Sequence, residues 1–299
     1  MHTKKILIIC ITLMLAACSL AADPQGSITG WGSNDGFLEH SLDTYNQAMP
    51  PDGNDYFVAV DAGRWHSIAL KSDGSLLAWG ADDNEFDEIT NQVTDTPDGN
   101  DFIDIAAGYY HNVAIKSDFG LAAWGDDYYG QATAPSGNDF IAIAAGLFHS
   151  LALKSDSTLL AWGVDDSTDG IEEDGDDEGQ VTAMPTGSGY IAIAAGKKFN
   201  LAIQSAGDDP NSGWIDGWGK DWQGTLADIP DGNDFVAVAA GVAHGLALRS
   251  DGTLEAWGGS NTDAFYHHVS GTPTDGDYIA VAAGEYHNVA MREDGSIVA

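Results

Sequence analysis

Phe57-Val-Ala-Val-Asp-Ala-Gly63-Arg-Trp-His66-Ser-Ile-Ala-Leu70-Lys71-Ser-Asp73-Gly74-Ser-Leu-Leu-Ala-Trp79-Gly80 holds three short strands and two turns. The first strand is rich in β-formers and small residues, the composition of a strand packed on both faces. It ends at Gly63. A second strand, His66 to Lys71, runs into Lys-Ser-Asp-Gly, a hairpin signal because Asp and Gly tolerate positive φ. A third strand closes on Trp79-Gly80. The same pattern returns at Gly108, Gly146, Gly196, Gly241 and Gly284, every 38 to 50 residues. Such a period indicates a ring or array of similar units.

One three-stranded sheet cannot bury both of its faces alone. Arranged radially, each sheet covers its neighbour, so the fold class predicted is all-β, a β-propeller with six recognisable repeat units. Alanines at one repeat position (Ala69, Ala114, Ala152, Ala202, Ala247, Ala290) suit the narrow inner part of each wedge. The recurring indoles Trp79, Trp124, Trp162, Trp218 and Trp257 suit the wide gap between blades and are assigned to the core.

Gly-x-x-His-x-x-Ala-Leu-x-x-Asp-Gly followed by Trp-Gly, with Trp124-Gly-Asp-Asp-Tyr-Tyr-Gly-Gln131, resembles the regulator of chromosome condensation repeat. The resemblance covers about residues 26–299. It implies a propeller, typically of seven blades, and no single activity, because the fold hosts exchange factors, inhibitors and adhesive modules. A secreted bacterial inhibitor of β-lactamases carries a similar repeat, and that resemblance implies aromatic loops presented to a target.

The ends carry separate signals. Lys4 and Lys5 precede an apolar stretch, Ile6 to Ala17, and Leu15-Ala-Ala-Cys18 resembles a bacterial lipobox. Residues 1–17 are therefore expected to be a lipoprotein signal peptide, Cys18 the lipidation site, 18–25 a linker and 26–299 the propeller. The resemblance implies an outer-membrane or cell-envelope lipoprotein; simple secretion is the alternative. Gly26-Ser-Ile-Thr-Gly-Trp31-Gly32 reads as a third strand without its first two. In units one, two, three and five Trp follows the turn Gly by 16 residues, and after Gly284 that position would be 300. The chain is expected to be cut short, with the N-terminal strand completing a seventh sheet.

Forty-six acidic residues against 11 basic give a net charge of −35, which excludes nucleic acid as the expected partner. Both cysteines, Cys10 and Cys18, lie in the leader, so no disulfide is expected in the mature domain. Five histidines share one repeat position (His66, His111, His149, His244, His287), and unit four has Phe199 there. Equivalent positions are spread around a ring, too far apart for ligands about 2 Å from one metal, so these are read as structural. Lys71, Lys116, Lys154, Arg249 and Arg292 precede the hairpin Asp and are read as local charge pairs.

Two positions between the turn Gly and the His vary on a constant frame, as a binding face does. The contact residues predicted from them are Trp65, Tyr109, Tyr110, Phe148 and Tyr286, with space-filling near the axis as the alternative. Two acidic loops, Asp82–Glu88 and Asp165–Glu178, could attract Ca²⁺ but lack EF-hand spacing. No other cofactor and no metal site are expected. No nucleophile elbow, zinc helix or phosphate loop is present. The expected function is an exported, lipid-anchored, monomeric propeller, not an enzyme, that binds a protein or glycan partner. A hydrolase of envelope or environmental polymers and a structural module of a longer surface protein are the competing readings.

Overall fold

The structure, a computed structural model, describes residues 46–50, 56–83, 88–165, 178–207, 209–259 and 269–299, together with the backbone of 9–10 and 14–15. Two short strands come first, β1 (Ile9–Cys10) and β2 (Met14–Leu15). Unit one is β3 (Phe57–Ala62), β4 (His66–Lys71) and β5 (Leu76–Gly80). Unit two is β6 (Phe102–Ala107), β7 (His111–Lys116) and β8 (Leu121–Gly125), and unit three is β9 (Phe140–Ala145), β10 (His149–Lys154) and β11 (Leu159–Gly163). Unit four is β12 (Tyr190–Ala195), β13 (Phe199–Ser205) and β14 (Gly213–Gly219), and unit five is β15 (Phe235–Ala240), β16 (His244–Arg249) and β17 (Leu254–Gly258). Unit six is β18 (Tyr278–Ala283), β19 (Asn288–Arg292) and β20 (Ile297–Val298). Within each unit the strands are antiparallel in sequence order, and the described residues contain no helix. The all-β propeller read from the repeat is the observed fold.

Every first strand carries a bulge one residue after its opening aromatic, as where Phe102 pairs Lys116 and Asp104 pairs Ile115. The bulge aims the aromatic ring at the basic residue that ends the second strand. Lys116 lies over Phe102, Lys154 over Phe140, Arg249 over Phe235 and Arg292 over Tyr278, with cation-to-centroid distances of 4.3–6.0 Å. The cation then pairs with an aspartate ahead of the first strand: Lys154 with Asp139 at 2.8 Å, Arg249 with Asp234, Arg292 with Asp275. The hairpin aspartates serve the turn itself: Asp156 Oδ1 accepts from Thr158 N at 3.1 Å and Asp251 Oδ1 from Thr253 N at 3.0 Å. The charge pairing expected within the hairpin thus runs mainly to the neighbouring turn.

Consecutive units pack face to face. Ala59, Ile68 and Leu70 of unit one meet Ile105, Ala107 and Trp124 of unit two, and the pattern repeats along the chain. Four of the five indoles are buried, with Trp79 of unit one half-buried. Each Nε1 donates to one carbonyl of the segment that enters its unit: Trp79 to Gln47 O, Trp124 to Gln92 O, Trp162 to Gln131 O, Trp218 to Gln180 O, Trp257 to Thr225 O, at 2.9–3.1 Å. The indoles are core, as read from the sequence.

The repeated histidines lace the units together. His66 Nε2 meets Asn112 Oδ1, His111 Nε2 meets Ser150 Oγ, His149 Nε2 meets Asn200 Oδ1 and His244 Nε2 meets Asn288 Oδ1, each at 2.9 Å. The acceptor is the residue after the His position of the next unit. The turn glycine exists for this ring: a methyl at Gly146 would overlap His149, and one at Gly196 would overlap Phe199. Its role is close approach rather than positive φ, because none of the six turn glycines has positive φ.

β1 pairs in parallel with β18 (Ile9 with Ala280) and β2 antiparallel with β6 (Met14 with Ala106), so the backbone of both short strands lies along first strands of the units. Cys18, the linker 18–25, the Gly26–Gly32 strand and most of the acidic loop after Asp165 lie outside the described residues.

Candidate binding face

The two-residue loops after the turn glycines lie at one end of the sheets, beside the ends of the third strands. The residue after each Trp-Gly donates its N–H to the second loop residue: Ala81 to Trp65 O, Asp126 to Tyr110 O, Val164 to Phe148 O, Lys220 to Lys198 O, Gly259 to Ala243 O. Loops of successive units are joined by backbone bonds: Arg64 N to Tyr109 O, Tyr109 N to Gly146 O, Leu147 N to Lys197 O, Lys197 N to Gly241 O, Val242 N to Glu285 O, at 3.2–3.4 Å. The loops therefore form one continuous face.

The structure brings the predicted contact residues together but does not expose them equally. Trp65, Tyr109, Tyr110, Leu147, Val242, Ala243 and Ala81 form one buried cluster, with Phe148 packed against it. Tyr110 is 1% exposed and Trp65 6%. Tyr110 sits edge-on to Trp65 and to Tyr109 at centroid distances of 5.8 and 6.2 Å. Arg64 closes the cluster: Nη1 donates to Tyr110 Oη at 2.8 Å and the guanidinium lies over Trp65 and Tyr109. Burial, with the Glu285 carboxylate beside it, pushes the Tyr109 phenol well above its ordinary pKa. Trp65, Tyr109 and Tyr110 thus fill space where the loops meet, the alternative weighed from the sequence. Phe148 is half-buried and Tyr286 is 50% exposed.

Sequence reasoning passed over the rim. Phe148 stacks on Tyr110 at 6.3 Å on one side and on Tyr129 at 5.0 Å on the other, and Tyr129 meets Tyr128 at 4.7 Å. The result is an aromatic line from the buried centre to Tyr128, which is 83% exposed. Beside it, Lys197 lies over the exposed Trp222, and Glu178 Oε1 accepts from Lys198 at 3.4 Å and Lys220 at 2.6 Å. The adjacent tyrosines in Trp124-Gly-Asp-Asp-Tyr-Tyr-Gly-Gln131 were the available signal.

The buried histidines are committed to the protein itself. Asn112 Nδ2 and Asn200 Nδ2 donate to Gln92 O and Gln180 O, which turns each Oδ1 toward the histidine and makes Nε2 the protonated nitrogen. The Nδ1 atoms of His66, His111 and His149 are buried and make no hydrogen bond among the described residues. Burial pushes His66 and His149 down to about 4 and His111 to about 3. Among the described residues no three His, Cys, Asp or Glu side chains are grouped to hold a metal ion. The aspartates that open the two acidic loops are turn caps: Asp82 Oδ1 accepts from Val93 N and Thr94 N, and Asp165 Oδ1 from Val181 N and Thr182 N, at 2.6–3.0 Å.

The family model described as Regulator of chromosome condensation (RCC1) repeat matches residues 57–86, 102–131 and 140–170. No curated protein matches the chain. The entire ectodomain of the Physcomitrella patens receptor kinase CR4 is similar with a TM-score of 0.62 at 20% identity, over 83% of this chain and 61% of that one. The CRINKLY WD40 ectodomain of the Arabidopsis thaliana receptor kinase ACR4 gives 0.59 at 19% identity, over 81% of this chain and 77% of that one. Prp20p from Saccharomyces cerevisiae gives 0.59 at 20% identity, over 78% of this chain and 68% of that one. The chain thus spans less than two thirds of the CR4 ectodomain, and likeness at these identities is likeness of fold. Matched repeats, histidine lacing and propeller architecture agree: the chain is an all-β propeller that carries regulator of chromosome condensation (RCC1) repeats.

Proposed function

We propose that this chain is an exported propeller, anchored to the cell envelope through lipid on Cys18, that binds a protein partner with its loop face. The observation that carries the reading is the aromatic line Tyr128–Tyr129–Phe148, propped on the buried Tyr110. Rings held rigid from beneath offer contact area at low entropic cost. Phe148 and Tyr286 keep the contact role expected of them; Trp65, Tyr109 and Tyr110 hold the platform. Among the solved relatives, two are receptor ectodomains and one is described by its binding to Gsp1p and histones. The role is binding rather than catalysis, since the buried histidines are committed to inter-unit bonds. A glycan is the alternative occupant of the same rings.

The test is cross-linking at the surface of the source cell with the full chain and with the Tyr128→Ala/Phe148→Ala/Tyr286→Ala variant. Loss of a captured protein with an unchanged melting temperature supports the reading. Equal capture by both chains, or binding to glycans alone, overturns it. Failure of Cys18→Ser to release the protein from membranes overturns the anchor.

A further inference from the structure

Three cations of this chain are each held by one ring and one carboxylate. Lys154 lies over Phe140 and pairs with Asp139, Arg249 lies over Phe235 and pairs with Asp234, and Arg292 lies over Tyr278 and pairs with Asp275. The aspartate precedes its aromatic residue by one to three positions. The ring attracts the cation through its quadrupole and the carboxylate through its charge.

Asp126 and Tyr128 set the same two groups on the loop face. Asp126 Oδ1 accepts the N–H of Tyr128 at 3.0 Å, which fixes the carboxylate beside that residue. Tyr128 is 83% exposed, and its ring meets Tyr129 at 83° with centroids 4.7 Å apart. Tyr129 meets Phe148 at 53° and 5.0 Å. Rings at such angles are the walls of a corner rather than one flat platform. Among the described residues no cation lies over Tyr128 and none pairs with Asp126.

Like charge crowds the spot instead. Burial raises the Asp126 carboxyl above its ordinary pKa, the Tyr128 N–H lowers it, and Glu88 and Asp127 raise it further. The net charge of −35 draws cationic groups toward the surface. The basic side chains of the loop face are engaged elsewhere: Arg64 on Tyr110, Lys197 over Trp222, Lys198 and Lys220 on Glu178.

We infer that this corner takes a lysine or arginine side chain from a basic segment of the protein partner, the cation seated on Tyr128 and paired with Asp126. The inference rests on the protein-binding reading above and names the chemistry of the partner. The occupant is basic because ring and carboxylate are the groups with which this chain holds its own cations, and because Glu88 and Asp127 repel an acidic segment. Tyr129 and Phe148 offer apolar wall to the stem of the cationic side chain.

The test is fluorescence anisotropy of a labelled peptide of alternating glycine and lysine, and of the same peptide with every lysine acetylated, titrated with the full chain. The lysine peptide should bind and the acetylated one should not. Tyr128→Leu and Asp126→Asn should each weaken binding about three- to tenfold, and Tyr128→Phe, which keeps the aromatic face, should stay within about twofold of the native chain. Tyr56→Leu, at an exposed tyrosine beside the first hairpin, should change nothing. Leucine keeps apolar area without the quadrupole, so its effect isolates the attraction for the cation. Equal binding of the two peptides overturns the inference, as does equal weakening by Tyr56→Leu and Tyr128→Leu, or by Tyr128→Phe and Tyr128→Leu. Such a failure, with protein capture still lost in the triple loop variant, leaves the protein-binding reading standing. Lysine-peptide binding that depends on Tyr128, with no protein captured at the cell surface, supports the cation site and overturns that reading.

Discussion

Phe199 and Gly245 occupy the donor and acceptor ends of a hydrogen bond that the other four junctions make. Unit four has no imidazole to donate, and unit five has no Asn or Ser to receive. A side chain at Gly245 would also overlap the Trp257 ring. The two departures from the repeat compensate one another, which ties the histidine to its acceptor rather than to a ligand. Asn200→Ala should therefore leave the buried His149 Nε2 unpaired and cost about 1–3 kcal/mol. In a His149→Phe background the same change should cost less. Urea melts of the double-mutant cycle check this; strict additivity would show that the pair does not couple.

The buried imidazoles also set a pH dependence. His66, His149 and His111 are depressed to about 4, about 4 and about 3, from an ordinary value near 6.5. A depressed group contributes its full stability above the unfolded pKa and loses it as pH falls through the folded pKa. Unfolding free energy should therefore drop between about pH 6.5 and pH 4, by about 3 kcal/mol per histidine at the low end. His111→Phe should flatten the slope. A flat profile in the native chain would contradict the burial.

Asp104 should act in the opposite sense. It stands where five units have Ala, is buried, and accepts only the N–H of Ile105 at 3.0 Å among the described residues. Burial raises its carboxyl well above the usual range. A raised carboxyl is most stabilising below the unfolded pKa and becomes a cost as pH rises through the folded one. Asp104→Ala should raise the melting temperature at pH 7 and change it little near pH 4. Asp61→Ala should gain less, because Asp61 Oδ2 accepts from Ala107 N at 2.8 Å across the first junction.

Hairpin geometry gives a local test. Gly74, Gly252 and Gly295 sit at φ of 82–84°, and Ser157 holds the equivalent place at 64°. A left-handed non-glycine residue costs about 1–2 kcal/mol, partly offset by the greater unfolded-state entropy of glycine. Ser157→Gly should stabilise by about 0.5–1 kcal/mol in thermal melts.

The propeller was legible because its signals are local and repeated. The Asp-Gly hairpin, the Trp-Gly strand end and the fixed His report on one unit and its immediate neighbour. The loop face was less legible because its centre pools side chains from several units. Trp65, Tyr109 and Leu147 vary from unit to unit, yet together they fill one volume. Variation at a repeat position therefore signals exposure only when each unit faces its own solvent. The basic residue ahead of most hairpins misled for a related reason: Asp139 pairs with Lys154 from 15 residues upstream, brought close by the bulge.

That distinction separates platform from contact among the aromatic residues. Tyr110 is fully buried, touches Trp65, Tyr109 and Phe148, and receives the Arg64 hydrogen bond. Tyr110→Ala should cost about 3–5 kcal/mol, the usual result of deleting a buried large ring, and should weaken partner binding only through the collapse of the platform. Tyr286 is half-exposed, and Tyr286→Ala should shift stability by less than about 0.5 kcal/mol while weakening binding directly. Thermal melts and binding measured on the same two variants separate the cases. A stable Tyr110→Ala protein that still binds would remove the buried rings from any part in recognition.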